Sequence, residues 1–217
     1  LPTKYRDDRA ATQLHNRLIE RLEAVPGVAR AGGINRLPLT GSGNGVAAVI
    51  EEFPPAEGEL PPAVNFLRTT SGYFEAMGVP LIEGRTFAAD EGDADLVPVL
   101  ISESLKRQYW PNDSALGKRI TVGQERAQVV GVVEDLRDER VDEPPRRSMY
   151  LPAARGAITM TLRTTVEPLS VVDAARSAIA EIDGDLPLGK IGSMERVVGD
   201  SMSRTSFTAS VVMIAEI

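Results

Sequence analysis

Apolar residues near the start of the chain recur at every third or fourth position. Between residues 8 and 25 they are Ala11, Leu14, Leu18, Leu22 and Val25, and Pro26-Gly27 then stops the pattern, which predicts an amphipathic helix. Residues 28–34, 46–51 and 63–70 read instead as strands. The link between the last two, from Phe53-Pro54-Pro55 to Pro61-Pro62, cannot lie inside a sheet, because proline has no N–H to give to a ladder. Toward the other end, residues 158–165 alternate as a strand. Leu169, Val172, Ala175, Ile179 and Ile182 mark a helix over 168–182, residues 186–191 are expected as a short strand, and a further helix is expected from residue 193.

The two ends thus offer helix, strand, strand, strand and then strand, helix, strand. Together they make one α+β sandwich, a ferredoxin-like sheet covered by two helices. The middle has a different texture, with short helices at 72–77 and 102–110 and strands at 98–101, 120–122 and 127–135. Residues 129–133 form an unbroken apolar run, as in a strand buried on both faces. The expected organisation is a discontinuous lobe of residues 1–70 and 151–203, with a small α/β lobe of residues 71–150 inserted between. Residues 204–217 are left as a terminal helix or the approach to a membrane helix. Hinges are expected near Thr70 and Leu151, because few contacts should cross such junctions.

Composition narrows the function classes. A chain of 217 residues that is 42% hydrophobic can bury a sizeable core. Lys and Arg total 24 against 31 for Asp and Glu, a net charge of −7. No basic stripe is present for counterion release from phosphates, so nucleic acid is not an expected partner. The lack of cysteine removes disulfides, thiolate zinc sites and thiol nucleophiles together. The chain starts at Leu1 without methionine and ends within the apolar run 207–215, which suggests a piece of a longer protein.

Candidate chemistry is sparse. Gly41-Ser42-Gly43-Asn44-Gly45 is followed by a strand, whereas phosphate binding needs the N-terminus of a helix there. Asp90, Glu91, Asp93 and Asp95 lack the glycine and glutamate placement of a helix-loop-helix calcium site. Glu134, Asp135, Asp138, Glu139, Asp142 and Glu143 alternate with Arg137, Arg140, Arg146 and Arg147, which suggests surface ion pairs. His15, the single histidine, lies beside Leu14 in the first helix, and no serine stands in a nucleophile-elbow sequence. Trp110 reads as a docking aromatic or as packing in its own lobe. No catalytic, cofactor-binding or metal-ligating residue is assigned. The alternative is a hydrolase or ligand-binding module, with a deep pocket lined by several of Asp90, Asp93, Glu134 and Asp135.

A series of short motifs adds to this. Tyr73-Phe74-Glu75-Ala76-Met77-Gly78 leads to Leu81-Ile82-Glu83-Gly84-Arg85, and Tyr109-Trp110-Pro111, Leu116-Gly117-Lys118-Arg119-Ile120 and Val129-Val130-Gly131-Val132-Val133-Glu134-Asp135 follow in order. In that order they resemble the extracytoplasmic domain of MacB-type and FtsX-like ABC transporter permeases, most closely the acidobacterial-type ones. The long Pro/Glu-rich stretch 51–62 departs from that pattern. The resemblance implies a porter-like lobe with a small lobe inserted, a periplasmic location on an inner-membrane protein, and no cofactor or catalysis. It implies a role in efflux or export by mechanotransmission. Its implied partners are the chain's own membrane helices, a cytoplasmic ATPase and a second permease protomer. It leaves open whether a periplasmic adaptor or lipoprotein docks, and the isolated domain is expected to be a monomer. Both chain ends should lie side by side at the base. Tyr73, Phe74 and Met77, on one face of a short helix, are placed to plug the seam between the lobes, with plain core packing as the other reading.

Overall fold

The computed structural model of the chain describes residues 2–5, 7–41, 43, 45–88, 96–138, 140, 142–153 and 156–202. After a turn of 3-10 helix at Thr3–Tyr5, Asp7 caps helix α1 (Asp8–Glu23) by accepting the Ala10 amide at 3.1 Å. The apolar stripe of α1 is buried, as its spacing requires. The elements that follow are β1 (Val28–Ile34), β2 (Gly45–Ile50), β3 (Ala63–Thr69), α2 (Tyr73–Met77), β4 (Leu81–Gly84), β5 (Val97–Ser102), α3 (Glu103–Tyr109), β6 (Arg119–Val122), β7 (Glu125–Val133), β8 (Ser148–Pro152), β9 (Thr159–Thr164) and α4 (Val172–Ile182). Residues 194–202 are also helical, and among the described residues no helix is long and apolar enough to cross a membrane.

The nine strands among the described residues belong to one sheet, and its path closes on itself. β2 pairs with β3 through residues 45–47 and with β6 through residues 48–50. The ladder then runs β6–β7–β5–β8–β3 and back to β2, a ring of six strands. Alternate residues point into it: Ala48 and Ile50 of β2, Val64 of β3, Val99 and Ile101 of β5, Ile120 of β6, Ala127 and Val129 of β7, Met149 and Leu151 of β8. Each is within 2% of full burial, worth about 1.5–3 kcal/mol for a large aliphatic side chain. Leu105, Trp110 and Ala115 belong to the same cluster, contributed by α3 and the loop after it.

β7 changes face once. Its register against β5 steps from Val99↔Val129 to Leu100↔Gly131, so Val130 bulges out. Val132 therefore joins the ring interior, while Val133 faces a second cluster outside it with Ile34, Leu67, Tyr73, Phe74, Leu100 and Tyr150. The unbroken apolar run 129–133 serves both sides of the strand, as expected.

The rest of the fold is a helix-covered pair of strands. β1 and β9 run antiparallel over most of their length. On one face Ala31 of β1 and Leu22 of α1 cluster with Ala175 of α4, while Leu14 and Leu18 cluster with Tyr5, Met160, Ile179, Ile182 and Leu186. On the other face α2 lies directly on β1, because a Cβ at Gly32 would overlap the backbone of Tyr73.

The architecture is the expected α+β one, with differences at particular elements. Residues 186–191 form no strand: Pro187 and Gly189 interrupt them, and Leu188 and Ile191 are exposed. β4 and β8 were not anticipated, being a four-residue strand and a strand that ends on proline. β2 and β3, placed by sequence with the chain ends, hydrogen-bond to β6 and β8 of the central segment. Each carries one apolar face, and that face fills the ring. Residues 204–217 lie outside the described residues.

Candidate functional site

The ring and the helix-covered strands meet at a narrow joint. β1 and β3 share one Cα pair, Ile34↔Thr69, before they diverge. Four bonds flank it: the Asn35 amide donates to the Arg68 carbonyl at 3.0 Å, the Thr70 amide to the Gly33 carbonyl at 2.9 Å, the Gly33 amide to Thr70 Oγ1 at 2.8 Å, and the Arg68 amide to Asn35 Oδ1 at 3.0 Å. On the other side of β3, Arg68 pairs with Leu151, and the Ala153 amide donates to the Thr69 carbonyl at 2.9 Å. Thr70 and Leu151, far apart in sequence, thus sit at the same place.

The aromatic residues of α2 fill the divergence. Tyr73 and Phe74 are fully buried among Ile34 of β1, Leu67 of β3 and Tyr150 of β8. Phe74 meets Tyr150 edge-on at 5.0 Å between ring centroids and Tyr73 at 5.2 Å. These residues are both core and seam. Burial pushes the Tyr73 and Tyr150 hydroxyls well above the ordinary tyrosine range, so both stay neutral.

Beside this wedge lies a buried polar centre that the sequence did not reveal. Arg36 Nη2 donates to Asp138 Oδ2 at 2.7 Å and to Asn65 Oδ1 at 3.2 Å, and Asn65 Nδ2 donates to Asp138 Oδ2 at 2.9 Å and to Ser148 Oγ at 3.2 Å. The Ser148 amide donates to Ser102 Oγ at 2.9 Å. The backbone joins in, since the Leu39 amide donates to the Asp138 carbonyl at 2.6 Å. Asp138 is 4% exposed, so the surface reading of this acid is corrected: it pairs inward with Arg36. Asn65 itself was the available signal, because it shares a face of β3 with the buried Leu67, where the pattern calls for an apolar residue.

The other candidate acids are dispersed. Glu134 is exposed, while Asp135 accepts the Ser104 amide at the start of α3 and pairs with Arg107, both at 2.9 Å. Arg140 pairs with Asp142 and Glu143 at the surface, as expected. A groove lined by Val49, Glu51, Arg119, Thr121 and Arg126 contains neither Glu134 nor Asp135. Asp90 and Asp93 lie outside the described residues, and among the described residues no group of His, Asp and Glu is placed to hold a metal. His15 is buried, with Nδ1 at 3.3 Å from the Ala153 carbonyl, because Ala153 follows β8 over α1. Trp110 packs in its own core, and its Nε1 donates to Glu52 at 2.8 Å.

The motif glycines serve geometry. Gly78 ends α2 in the left-handed region at φ 71°. Gly84, at φ 78°, and Gly131 let β4 and the start of the next loop cross β7 closely: Cβ atoms there would overlap the Val130 and Arg85 carbonyl oxygens.

Comparison with known proteins gives a consistent picture. Residues 2–182 match the family model described as MacB-like periplasmic core domain. The macrolide export ATP-binding/permease protein MacB of Aggregatibacter actinomycetemcomitans is 33% identical over 63 residues, 29% of this chain and 10% of that protein. The protein of the same name from Mannheimia succiniciproducens is 26% identical over 111 residues, 50% of this chain and 17% of the relative. The matched stretches thus span a small part of those curated relatives. The crystal structure of the periplasmic region of MacB from Actinobacillus actinomycetemcomitans is similar in fold, with a TM-score of 0.53 at 16% identity over 78% of this chain and 74% of that one.

Proposed function

The chain belongs to the MacB-like periplasmic core domain family and is an extracytoplasmic domain of a MacB-like ABC transporter permease; from that premise we propose that it relays ATP-driven movement for export or efflux and has no chemistry of its own. The observation that carries the reading is the narrow joint. A ring of six strands and a helix-covered strand pair share one Cα pair between β1 and β3, with the α2 aromatics as a wedge. Such a joint transmits force and permits rotation, because the hydrogen bonds that must strain are few.

In this reading the division into residues 1–70 with 151–203 and residues 71–150 takes a modified form. β2 and β3 move with the ring, and the hinge lies where Thr70 and Leu151 meet. The partners are the protein's own membrane helices, a cytoplasmic ATPase and a second protomer, with a periplasmic adaptor or lipoprotein as a further docking partner. Closure of the ATPase drives the membrane helices, and the helix-covered half turns against the ring.

The test locks the joint in the complete transporter. Asn35 and Arg68 are cross-strand neighbours joined by two hydrogen bonds, and antiparallel neighbours have Cα separations within disulfide reach. These 217 residues contain no cysteine, so Asn35→Cys with Arg68→Cys forms one defined pair within the domain. Oxidation should abolish export while ATP hydrolysis continues, and reduction should restore it. Unchanged export in the oxidised transporter would overturn the relay.

A further inference from the structure

The described start of the chain is fastened to the end of α4 at one carboxylate. Asp183 Oδ2 accepts the Tyr5 hydroxyl at 2.8 Å and pairs with Lys4 Nζ at 2.7 Å. Its other oxygen, Oδ1, accepts the Asp185 amide at 3.1 Å, which shapes the turn leading out of α4. The Asp183 side chain is 6% exposed, and that of Lys4 is 54% exposed. Tyr5 is itself 9% exposed, its ring packed with Leu14 and Leu18 of α1 and with Ile179, Ile182 and Leu186. Three hydrogen-bond or ion-pair partners and an apolar anchor therefore converge on a side chain 178 residues downstream of Tyr5.

We propose that Asp183 is the tie that makes residues 2–5 and the segment leaving α4 move as one body. The inference rests on the relay reading. If membrane-driven movement reaches the domain through both flanks, the flanks must be coupled before they reach the joint, or each would strain its own strand of the β1–β9 pair. Along the chain the two flanks are separated by the whole ring, and the α1–α4 contact is mainly apolar, with one exposed ion pair between Arg21 and Glu181, so it resists separation more than sliding. A shared carboxylate is directional, since it fixes distance and angle to three donors at once. The direction of the Asp183 acidity agrees: the hydrogen bonds from Lys4 and Tyr5 hold its carboxyl below the usual carboxylate range.

Asp183 is a positioning residue under this proposal, and its removal should uncouple the flanks without unfolding the ring. In the 217-residue chain, Asp183→Ala should speed amide hydrogen exchange at residues 3–5 and 183–186 by roughly tenfold or more, with β5 and β7 unchanged. Asp183→Asn, which still accepts from Tyr5 but loses the charge facing Lys4, should lie between. Tyr5→Phe tests the tie from the other side and should loosen the 183–186 amides while its ring stays packed. Unchanged exchange at both flanks in Asp183→Ala overturns the tie, and so does a loss of protection that spreads equally through the ring.

In the complete transporter, Asp183→Ala should lower export per ATP hydrolysed several-fold while ATP turnover persists. Equal export per ATP, with the Asn35–Arg68 disulfide still blocking transport, would sink this inference alone. If the disulfide is also without effect, the relay reading falls as well.

Discussion

Arg163 of β9 occupies the space that a side chain at Gly78 would need. Its Nε donates to the carbonyls of Glu75 and Ala76 at 3.2 and 3.1 Å, so a strand residue closes the C-terminal end of α2, and a Cβ at Gly78 would overlap the guanidinium. The wedge helix is thereby held by both halves of the fold: its aromatics face the ring, and its carbonyls face β9.

Gly78→Ala should cost about 1–3 kcal/mol, because alanine must take the left-handed backbone and displace Arg163. For a chain of this size, each kcal/mol lowers the Tm by about 2–4 °C. Arg163→Ala removes the same cap, so the double variant should lose less than the sum of the two singles in thermal unfolding. Strict additivity would show that the two residues do not share the cap.

Gly131→Ala should be worse, at about 2–4 kcal/mol, because its Cβ meets the Arg85 carbonyl oxygen, which is backbone and cannot swing aside. The relief available is separation of β4 from β7, so amides of residues 81–84 should lose their exchange protection. Gly123→Ala is the control, since its Cβ meets nothing within 4 Å and costs only the φ of 58°, about 1–2 kcal/mol.

Asp138→Ala should destabilise by about 3–5 kcal/mol in urea unfolding, since it leaves the Arg36 guanidinium and Asn65 amide without their shared acceptor. The pair Arg36→Met with Asp138→Leu should be less harmful than Asp138→Ala alone, because no unpaired charge is left inside. A double variant that unfolds more readily than the single would show that the ion pair is a net source of stability.

Stability should fall between pH 7 and pH 5 through His15. Burial lowers its pKa below the ordinary 6.5, outweighing the Ala153 carbonyl that raises it. The unfolded chain therefore takes up a proton near 6.5 that the folded chain refuses, so the neutral imidazole favours the fold above that pH and the benefit is lost as pH drops. His15→Leu should flatten this part of the stability curve in chemical denaturation. A slope equal to that of the native chain would assign the effect to other groups.

Much of the fold could be read from periodicity. The spacing of Leu14, Leu18 and Leu22 gave α1, and the strand read over residues 28–34 has the observed bounds of β1. Pairing was not legible: Ala48 and Ile50 show an apolar face but not which strand lies opposite, and ring closure depends on β2 turning from β3 to β6 halfway along. Residues 186–191 had strand-like side chains but no ladder partner. The polar centre escaped because Arg36, Asn65 and Asp138 come together from three separate segments, and each alone is an ordinary surface residue type. Asp183 escaped for the same reason, its partners being at the far end of the chain.

The closed ring also settles where this architecture tolerates change. The proline-rich stretch 51–62 leaves from Ile50, already paired through Ile120, and returns at Ala63, already paired through Ala47, with Glu52 and Phe53 resting against Trp110. Its tip, with Leu60 91% exposed, carries none of the ladder. Lengthening or exchanging the outer part of this excursion leaves every staple of the barrel in place, so it is a natural grafting point for a reporter or epitope.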